Sequence, residues 1–324
     1  MLLAIKFGIH SSNHNAPSMA IIPHWLKSLI ETEALPSEFG SLAVEFYLPL
    51  ARSIVTWAQQ KEQLALSAPL VVGVNGAQGT GKSTLSKVLA LALKHEHQLS
   101  CAIISIDDLY LTRQERSNLS QNTHPLFMTR GVPGTHDVSM GIDLIQQLKK
   151  KQAVKLPVFD KSTDDRVPEE DWIACDTPVD IILFEGWCVG ALAQEPDSLA
   201  TPCNSLEESE DQDAAWRTHA NQQLAGPYKK LFSLIDRLVM LKAPDFECVY
   251  HWRSTQEDKL RERTADLNMD LKSNSIMNDE QLKRFVMHYE RLTRWMFEEM
   301  PERADCLLKL NQDHHIARAV YSQT

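Results

Sequence analysis

The stretch VVGVNGAQGTGKSTLSKVLA, residues 71–90, constrains the fold more than any other part of this chain. A run typical of a buried strand leads into glycines, and a helical pattern follows at once. Residues 76–83 match G-x-x-x-x-G-K-[ST]. Glycines let successive backbone N–H groups converge on one point, and the next helix adds its own unpaired N–H groups. The stretch therefore predicts a strand, an anion-binding turn and a helix in direct succession.

The anion that this turn favours is the phosphate chain of a nucleotide. Lys82 would place a mobile cation on the β- and γ-phosphates, and the Ser83 hydroxyl would reach Mg²⁺. ATP and Mg²⁺ are therefore the predicted cofactors; no N-K-x-D or T-K-x-D follows a late strand, so guanine specificity has no support. The alternative is a plain glycine-rich turn. The predicted nucleotide-binding residues of the loop are Gly76, Ala77, Gln78, Gly79, Thr80, Gly81, Lys82, Ser83 and Thr84.

The composition of the chain limits the classes of molecule that it is expected to bind. The 324 residues carry a formal net charge of −10, which argues against binding nucleic acid or an anionic membrane. An anionic small substrate is still possible, because a few arginines in a pocket outweigh a distant acidic surface. No apolar run approaches the roughly 18 residues of a membrane span, and six cysteines without a C-x-x-C pair favour reduced thiols. We expect a cytoplasmic monomer or homodimer.

The order of apolar runs predicts an α/β fold. Helical spacing occupies much of 21–60, and helical patterns follow several strand-like runs, which indicates a mostly parallel five-stranded sheet with helices on both faces. The predicted strands are 69–74, 101–106, 179–184, 237–241 and 306–310. We expect an N-terminal helical extension over 1–67, with 1–18 poorly structured, and a nucleotide-binding domain over 68–324. The acidic run SLEESEDQD at 205–213 is typical of a solvated loop, and its role stays open.

Acidic residues end two of these strands. Asp107 and Asp108 follow the second strand, and Glu185 follows the third. Ligands gather at the carboxyl ends of parallel strands, so these side chains should face the nucleotide. A carboxylate there can accept the proton of an attacking hydroxyl, and another can reach Mg²⁺. The alternatives are a helix cap or turn for the aspartates and a solvent-facing charge for Glu185.

The segments SIDDLY and FEGW, together with the glycine-rich loop, resemble the phosphoribulokinase, uridine kinase and pantothenate kinase superfamily. The segments HPLFMTRGVPGTHD, LPVFDKSTDDR, LFEGWCVG, W-R-x-x-x-N and VYHWRSTQEDKLR resemble, more specifically, the D-glycerate 3-kinases of plants and fungi and their bacterial relatives. The resemblance runs from about residue 68 to 315. Leu109 departs from the phenylalanine common in D-D-F-Y, and the acidic run at 205–213 departs from the expected composition.

This resemblance implies a P-loop kinase with a helical lid at about 244–275 and acceptor-binding insertions at about 112–175 and 190–225. It implies transfer of the ATP γ-phosphate to a hydroxyl of a small hydroxy acid, D-glycerate giving 3-phosphoglycerate. Asp107 would be the catalytic base, supported by Lys82, Glu185 and the lid residue Arg253, with Arg261 of the lid on the nucleotide. Ser83 and Glu185 would hold Mg²⁺. The alternative for the lid is an ordinary surface helix with Glu/Arg pairs.

The acceptor site implied by the resemblance draws on the two insertions. An arginine fork would hold the carboxylate at two points and fix which hydroxyl faces the phosphate. Arg130 and Arg166 could instead fasten loops, His136 could pair structurally with Asp137, and Lys161 could be solvent-exposed. The predicted acceptor-binding residues are Asp108, Tyr110, Arg130, His136, Asp137, Lys161, Arg166, Trp216 and Arg217.

Two other functions stay open at this point. The same fold could phosphorylate another metabolite, such as a pantothenate-like or nucleoside acceptor. A nucleotide-dependent switch or ATPase could bind a protein partner and transfer nothing to a metabolite. ADP release that depends on D-glycerate distinguishes the first function from both alternatives.

Overall fold

The computed structural model describes residues 21–63, 68–176, 178–266 and 277–322, with residues 256 and 259–266 described by their backbone alone. The helices are α1 (His24–Thr32), α2 (Phe39–Leu42), α3 (Leu48–Gln63), α4 (Lys82–His97), α5 (Arg113–Asn122), α6 (Val138–Lys149), α7 (Ser205–Glu210), α8 (Ala215–Gln223), α9 (Lys229–Phe232), α10 (Phe246–Asp266) and α11 (Asp279–Glu299). The strands are β1 (Leu70–Gly76), β2 (Cys101–Ser105), β3 (Val154–Leu156), β4 (Phe159–Asp160), β5 (Asp165–Arg166), β6 (Ile173–Cys175), β7 (Ile181–Gly186), β8 (Arg237–Lys242), β9 (Cys306–Leu310) and β10 (Ile316–Tyr321). The predicted disorder over 1–18 lies outside the described residues, as does 267–276 of the predicted lid.

The central sheet has the order β10-β9-β8-β1-β7-β2. The five predicted strands form its parallel part, which confirms the α/β fold class. A sixth strand, β10, was not predicted and pairs antiparallel with β9 at the edge. Its sequence IARAVY lacks the continuous apolar run of a buried strand, because half of an edge strand faces solvent.

Alternate residues of each strand face two separate cores. Val72 and Val74 of β1 pack with α3 and α4 on one face, and Val71 packs with α6, α9 and α11 on the other. Helices therefore cover both faces of the sheet, as predicted. Leu26 and Ile54 of the N-terminal helices are fully buried in the same core as α4, so this region shares a core with the helix that follows the glycine-rich loop. The division of the chain near residue 67 stays a prediction.

Helix α11 begins at a capping box. Asn278 accepts from the backbone N–H of Gln281, and the Gln281 side chain accepts from the N–H of Asn278. Three of its buried residues, Val286, Tyr289 and Met296, recur at helical spacing and face the core. This helix also contacts the loop that precedes α6, since the Tyr289 hydroxyl donates to the Arg130 carbonyl.

The acidic run is not a solvated loop. Part of it forms α7, and Glu207 and Asp211 are both fully buried. Arg291 of α11 donates to both carboxylate oxygens of Glu207, at 2.7 and 2.6 Å. A buried carboxylate needs a partner of this kind, since an unpaired one would cost several kcal/mol. The sequence pattern could not reveal this, because Arg291 lies 84 residues away.

None of the helices in the described part of the chain is both long enough and apolar enough to cross a bilayer.

Candidate active site

The glycine-rich loop connects β1 to α4. Gly79 and Gly81 adopt φ angles of 80° and 87°, a left-handed conformation that residues with a Cβ rarely adopt. At Gly76 the limit is space, because a Cβ would lie 2.5 Å from the Thr80 hydroxyl. Gly81 is the N-cap of α4, and no side chain of the described residues caps that helix. Its first-turn N–H groups and its positive dipole end are therefore available to an anion.

Asn75, a buried residue near the end of β1, connects the glycine-rich loop to the segment that follows β7. The Asn75 amide donates to the carbonyls of Trp187 and Val189, at 3.1 and 2.9 Å. Sequence analysis did not single out Asn75; its signal was a polar residue inside an apolar strand. The two bonds fix the distance between the loop and the strand that carries Glu185.

Glu185 lies beside the first turn of α4. The Ser83 hydroxyl donates to its Oε1 at 2.9 Å. Its Oε2 is buried and has no hydrogen-bond partner among the described residues. A buried carboxylate oxygen without a donor, next to a hydroxyl, suits a hard divalent cation that takes oxygen ligands. The two residues predicted to hold Mg²⁺ therefore come together, and their donor set fits that ion.

Asp107 lies in a short 3-10 turn, Ile106–Leu109, directly after β2. Its carboxylate accepts from the Tyr110 hydroxyl at 2.9 Å and from Lys161 Nζ at 2.7 Å. Burial alone would raise its pKa, but the positive charges of Lys161 and Lys82 outweigh burial and lower the pKa to about 2. Asp107 is therefore ionised and lies within electrostatic reach of the lysine of the phosphate loop.

Asp108 differs from its neighbour. Its Oδ1 accepts the backbone N–H of Phe159 at 3.1 Å, which fastens β4 to the turn after β2. Burial, with a further contribution from the Asp107 charge, raises its pKa to about 6. An acid that holds a backbone N–H and ionises reluctantly is less suited than Asp107 to orient an attacking hydroxyl. The geometry therefore supports the prediction that Asp107, and not Asp108, is the catalytic base.

Aromatic rings form one wall beside Asp107. The Tyr110 ring stacks on His136, with centroids 4.5 Å apart, and meets the edge of Phe159 at 5.2 Å. His136 Nδ1 lies 2.6 Å from the Tyr228 hydroxyl, which also accepts the N–H of Gly134. Burial lowers the pKa of His136 to about 3, so the ring is neutral. The Nε2 atom of this ring is buried and has no hydrogen-bond partner among the described residues.

Arg130 lies over the Phe159 ring, with its guanidinium carbon 5.6 Å from the ring centroid. It forms an ion pair with Asp164 in the turn between β4 and β5. Burial raises the pKa of the Tyr289 phenol, the Asp107 charge raises it further, and the charges of Arg130 and Arg253 oppose this. The charges of Arg130, Arg253 and Asp107 therefore all act on the Tyr289 phenol.

Known proteins are similar to this chain in sequence and in fold. A protein of Schizosaccharomyces pombe named "Uncharacterized kinase mug58" is 32% identical over 240 residues, which cover 71% of this chain and 82% of that protein. The chloroplastic D-glycerate 3-kinase of Arabidopsis thaliana is 30% identical over 231 residues, which cover 68% of this chain but only 46% of that protein. The solved structure of D-glycerate 3-kinase from Cryptococcus neoformans aligns with a TM-score of 0.68 and 25% identity, over 85% of this chain and 99% of that one. The chain belongs to the D-glycerate 3-kinase family of P-loop kinases.

Family membership confirms the predicted class of enzyme, a phosphotransferase that uses ATP and acts on a hydroxyl group. No protein-family model matches the chain, so the assignment depends on these individual relatives and on the fold. The roles of single residues in this chain stay predictions, which the geometry of the site can support or weaken.

Two residues that were predicted to bind the acceptor, Arg217 and Trp216, make structural contacts instead. The Arg217 guanidinium donates to the carbonyls of Leu199 and Asp211 and to the Asp211 carboxylate, and its side chain is almost fully buried. The Trp216 ring is buried against Phe127. Both residues hold the region before α8 together, so we do not include them in the acceptor site.

Asp137 and Arg166 also have structural partners. Asp137 caps α6, where its Oδ1 accepts the N–H of Met140. Arg166 donates to the Tyr110 carbonyl at 2.7 Å and lies 3.8 Å from the Asp137 carboxylate. His136 contacts the Tyr228 hydroxyl, and not Asp137 as in the alternative of a structural pair.

The predicted lid corresponds to α10. Arg253 forms an ion pair with the buried Glu257 one turn along the same helix. This pairing matches the alternative of an ordinary Glu/Arg helix pair, although the Arg253 charge also lowers the pKa of the Tyr289 phenol, which the Asp107 charge raises. The side chain of Arg261 lies outside the described residues.

Arg116 is the charged residue that sequence analysis missed. It is fully buried although its helix, α5, has a polar sequence, and it forms an ion pair with Asp164 at 2.9 Å. The available signal was the composition of DKSTDDR, residues 160–166, where three acids face two bases. This excess of negative charge indicates that a cation from another segment pairs with one of the acids.

Proposed function

We propose that this chain transfers the γ-phosphate of ATP to the 3-hydroxyl of D-glycerate in the presence of Mg²⁺. The observation that carries the proposal is the position of Asp107. Its carboxylate lies at the carboxyl end of β2, beside the phosphate loop and within the field of Lys82. An alcohol placed between Asp107 and the γ-phosphate would be in position for in-line attack.

The reaction balances on these groups. The acceptor oxygen forms a bond to the γ-phosphorus, and the bond between that phosphorus and the bridging oxygen of ADP breaks. The hydroxyl proton passes to the Asp107 carboxylate. An acid with a pKa of about 2 is a weak base, which suits phosphoryl transfer, because little proton transfer is needed before the phosphorus–oxygen bond forms. Asp107 would therefore act mainly by orienting the hydroxyl.

Lys161 must share Asp107 with the acceptor. Its side chain is 59% exposed at the tip of the β4–β5 turn, so it can swing away when a hydroxyl approaches. The departing lysine would stay near the incoming negative charges of substrate and phosphate. A long, exposed cation is suited to that movement, because its pairing with Asp107 is weakly stabilising in solvent.

The ATP phosphates and Mg²⁺ would be held by residues that the sequence motif predicts. Lys82 would bind the β- and γ-phosphates, and Ser83 with Glu185 would hold Mg²⁺, which supplies charge neutralisation of the phosphate oxygens. The buried Oε2 of Glu185 supports this assignment. Arg253 of α10 would approach the transferring phosphoryl group after exchanging its contact with Glu257.

The names of the relatives support D-glycerate as the acceptor. Both an Arabidopsis sequence relative and a Cryptococcus structural relative are named D-glycerate 3-kinase. The cationic groups Arg130 and Lys161 near Asp107 suit a small acid better than a neutral nucleoside. A cytoplasmic location and the oligomeric state stay predictions.

An acceptor panel tests the proposal directly. Purified protein with ATP and Mg²⁺ is given D-glycerate, L-glycerate, glycerol, pantothenate or uridine, and ADP release is followed. We expect release that depends on D-glycerate, with 3-phosphoglycerate as product, and no release from the Lys82→Ala variant. Slow hydrolysis that is indifferent to every acceptor would contradict the proposal and favour a nucleotide-dependent switch.

A further inference from the structure

Arg116, Arg130 and Asp164 form a charge group with two cations and one anion. Arg116 Nη1 and Nη2 contact the two Asp164 oxygens at 3.1 and 2.9 Å, and Nη2 also donates to the Asp164 carbonyl at 2.7 Å. Arg130 contacts the Oδ1 atom that Arg116 Nη1 reaches. One carboxylate therefore serves two guanidinium groups.

The neighbouring ion pairs are balanced. Lys161 pairs with Asp107, and Arg166 lies beside Asp137. The other two acids of 160–166 accept from uncharged groups: Asp165 Oδ1 accepts the backbone N–H groups of Arg113 and Arg166, and the Asp160 carboxylate accepts from Ser162 and Thr163. The Arg116–Asp164–Arg130 group differs from these pairs because it has two cations on one carboxylate, one positive charge more than its own acid offsets.

The two arginines are not equivalent. Arg116 is fully buried and makes a two-point contact with Asp164, so its charge is committed. Arg130 retains a quarter of its side-chain exposure, and Asp164 is the single ion-pair partner that the described residues give it. The extra positive charge of the group is therefore accessible through Arg130, its partly exposed arginine.

The orientation of Arg130 is also fixed. Its guanidinium carbon and that of Arg116 each lie 5.6 Å from the centroid of the Phe159 ring. Asp164 adopts a φ of 58°, a left-handed conformation that is uncommon for a residue with a side chain. The turn thus holds its carboxylate at the one place where both arginines reach it, and strain of this kind often marks a functional position.

This group lies next to the Asp107 region. The Tyr110 ring, whose hydroxyl bonds to Asp107, meets the Phe159 ring at 5.2 Å, and Arg130 lies against that same Phe159 ring. A short acceptor with a hydroxyl at Asp107 could thus place an anionic end toward Arg130. The carboxylate of a three-carbon hydroxy acid is an anion of suitable size.

We propose that Arg116 is a specificity-determining positioning residue: by neutralising Asp164 it leaves the Arg130 charge free to bind the carboxylate of the acceptor. This inference rests on the proposed function and adds how the enzyme selects an acid over an uncharged polyol. Without Arg116, Asp164 and Arg130 would form a neutral pair. The subsite would then have no net charge to attract a carboxylate.

The test compares two acceptors that differ in the carboxylate alone. Glycerol has hydroxyls like those of D-glycerate but a CH₂OH group in place of the carboxylate, so the ratio of their kcat/KM values measures carboxylate recognition. We expect Arg116→Met to lower this ratio about 10-fold or more, mainly through the KM for D-glycerate. Arg113→Met is the matched control, since Arg113 is an exposed arginine of the same helix and should leave the ratio unchanged.

Asp164 variants separate charge from structure. Asp164→Asn breaks the same ion pair but adds positive charge, so it should keep or raise the ratio. The double variant Arg116→Met/Asp164→Asn restores one unmatched charge on Arg130 and should recover the ratio to within about threefold of wild type. If Arg116 were merely structural, both single variants would lower the ratio alike and the double variant would not recover.

Failure of the inference can be told apart from failure of the proposed function. If wild-type protein shows no D-glycerate-dependent ADP release, the proposed function is wrong. If wild type uses D-glycerate and a folded Arg116→Met variant keeps the wild-type ratio, the role of Arg116 is wrong. Thermal unfolding shows which variants fold; should Arg116→Met not fold, Asp164→Asn and the double variant decide, and a lowered ratio in both overturns the inference.

Discussion

The two sides of the candidate site are built in different ways. The phosphate side, residues 76–84 with Glu185, uses mainly one continuous stretch of backbone at the end of one strand. The acceptor side, comprising Asp107, Tyr110, Arg130 and the β4–β5 turn at 159–166, joins separate segments through side-chain contacts. Lys161 and Asp107 are 54 residues apart in the chain, and Arg130 and Asp164 are 34 apart.

This difference determines what each side depends on. A backbone cradle needs particular φ angles and the absence of a Cβ, both of which are local properties. A site made of ion pairs between distant segments depends on charge balance and on the loops that bring the charges together. Substitutions on the phosphate side should therefore act on ATP and metal binding, and those on the acceptor side on turnover and acceptor choice.

The largest expected effect comes from Asp107→Asn on the acceptor side. The amide lacks the negative charge that would orient the acceptor hydroxyl and receive its proton, so kcat should fall by about 10²- to 10⁴-fold. ATP affinity should stay near the wild-type value, because the phosphate side is intact. Steady-state kinetics and ATP titration measure the two quantities. Asp108→Asn is the matched neighbour and should keep most of the turnover; equal losses in both variants would show that the two aspartates act together.

The next effect belongs to the phosphate side. Glu185→Gln keeps an oxygen for the Ser83 hydroxyl but removes the charge that would attract Mg²⁺. We expect the Mg²⁺ concentration for half-maximal activity to rise by about 10- to 100-fold. The KM for D-glycerate should change little. A magnesium titration at saturating ATP measures this, and an unchanged midpoint would exclude Glu185 as part of the metal site.

Much of the phosphate side could be predicted from the sequence. The motif fixed the glycines, Lys82 and Ser83, and the position after a strand indicated Glu185. Asn75 was missed, because its two carbonyl partners lie 112 and 114 residues away and a polar residue within an apolar strand has no single interpretation. Local periodicity also found the five parallel strands but not β10, which alternates in burial only weakly.

Less of the acceptor side could be predicted. Tyr110, Arg130 and Lys161 were found through segments that resemble a family, but nothing local distinguishes the buried Arg116 from its exposed neighbour Arg113. The same limit explains Arg217. An arginine in a loop-rich section suits a substrate anion, and its buried partner Asp211 lay in a run that looked solvated.

Gly81→Ala tests whether the phosphate side depends on backbone conformation. A Cβ at Gly81 meets no atom within 4 Å, so the left-handed φ of 87° would be the source of any loss. That conformation costs about 1–2 kcal/mol with a side chain, which corresponds to roughly a 5- to 30-fold weaker ATP affinity. Gly226→Ala is the matched control, because its Cβ also has open space but its φ is not left-handed. Equal ATP affinities in the two variants would contradict the prediction.

The smallest expected effect concerns the acceptor side and pH. Burial raises the pKa of Asp108 from 3.8 to about 6, so the folded state binds this proton more tightly than the unfolded state. The resulting stabilisation is full below about pH 3.8 and is lost as the pH rises through about 6. Wild type should therefore lose on the order of 1–2 kcal/mol of unfolding free energy relative to Asp108→Asn between pH 4.5 and 7.5. Urea unfolding at both pH values measures this difference.

Asp107 provides a control for this prediction, because its pKa is shifted in the opposite direction from that of Asp108. The pKa of Asp107 is lowered to about 2, since the charges of Lys161 and Lys82 outweigh the effect of its burial. Its contribution to stability is present above about pH 3.8 and is lost only as the pH falls toward 2. The difference between wild type and Asp107→Asn should therefore stay constant from pH 4.5 to 7.5. If it changed as the Asp108 difference does, the two carboxylates would titrate as one coupled group, and the division of roles between them would fail.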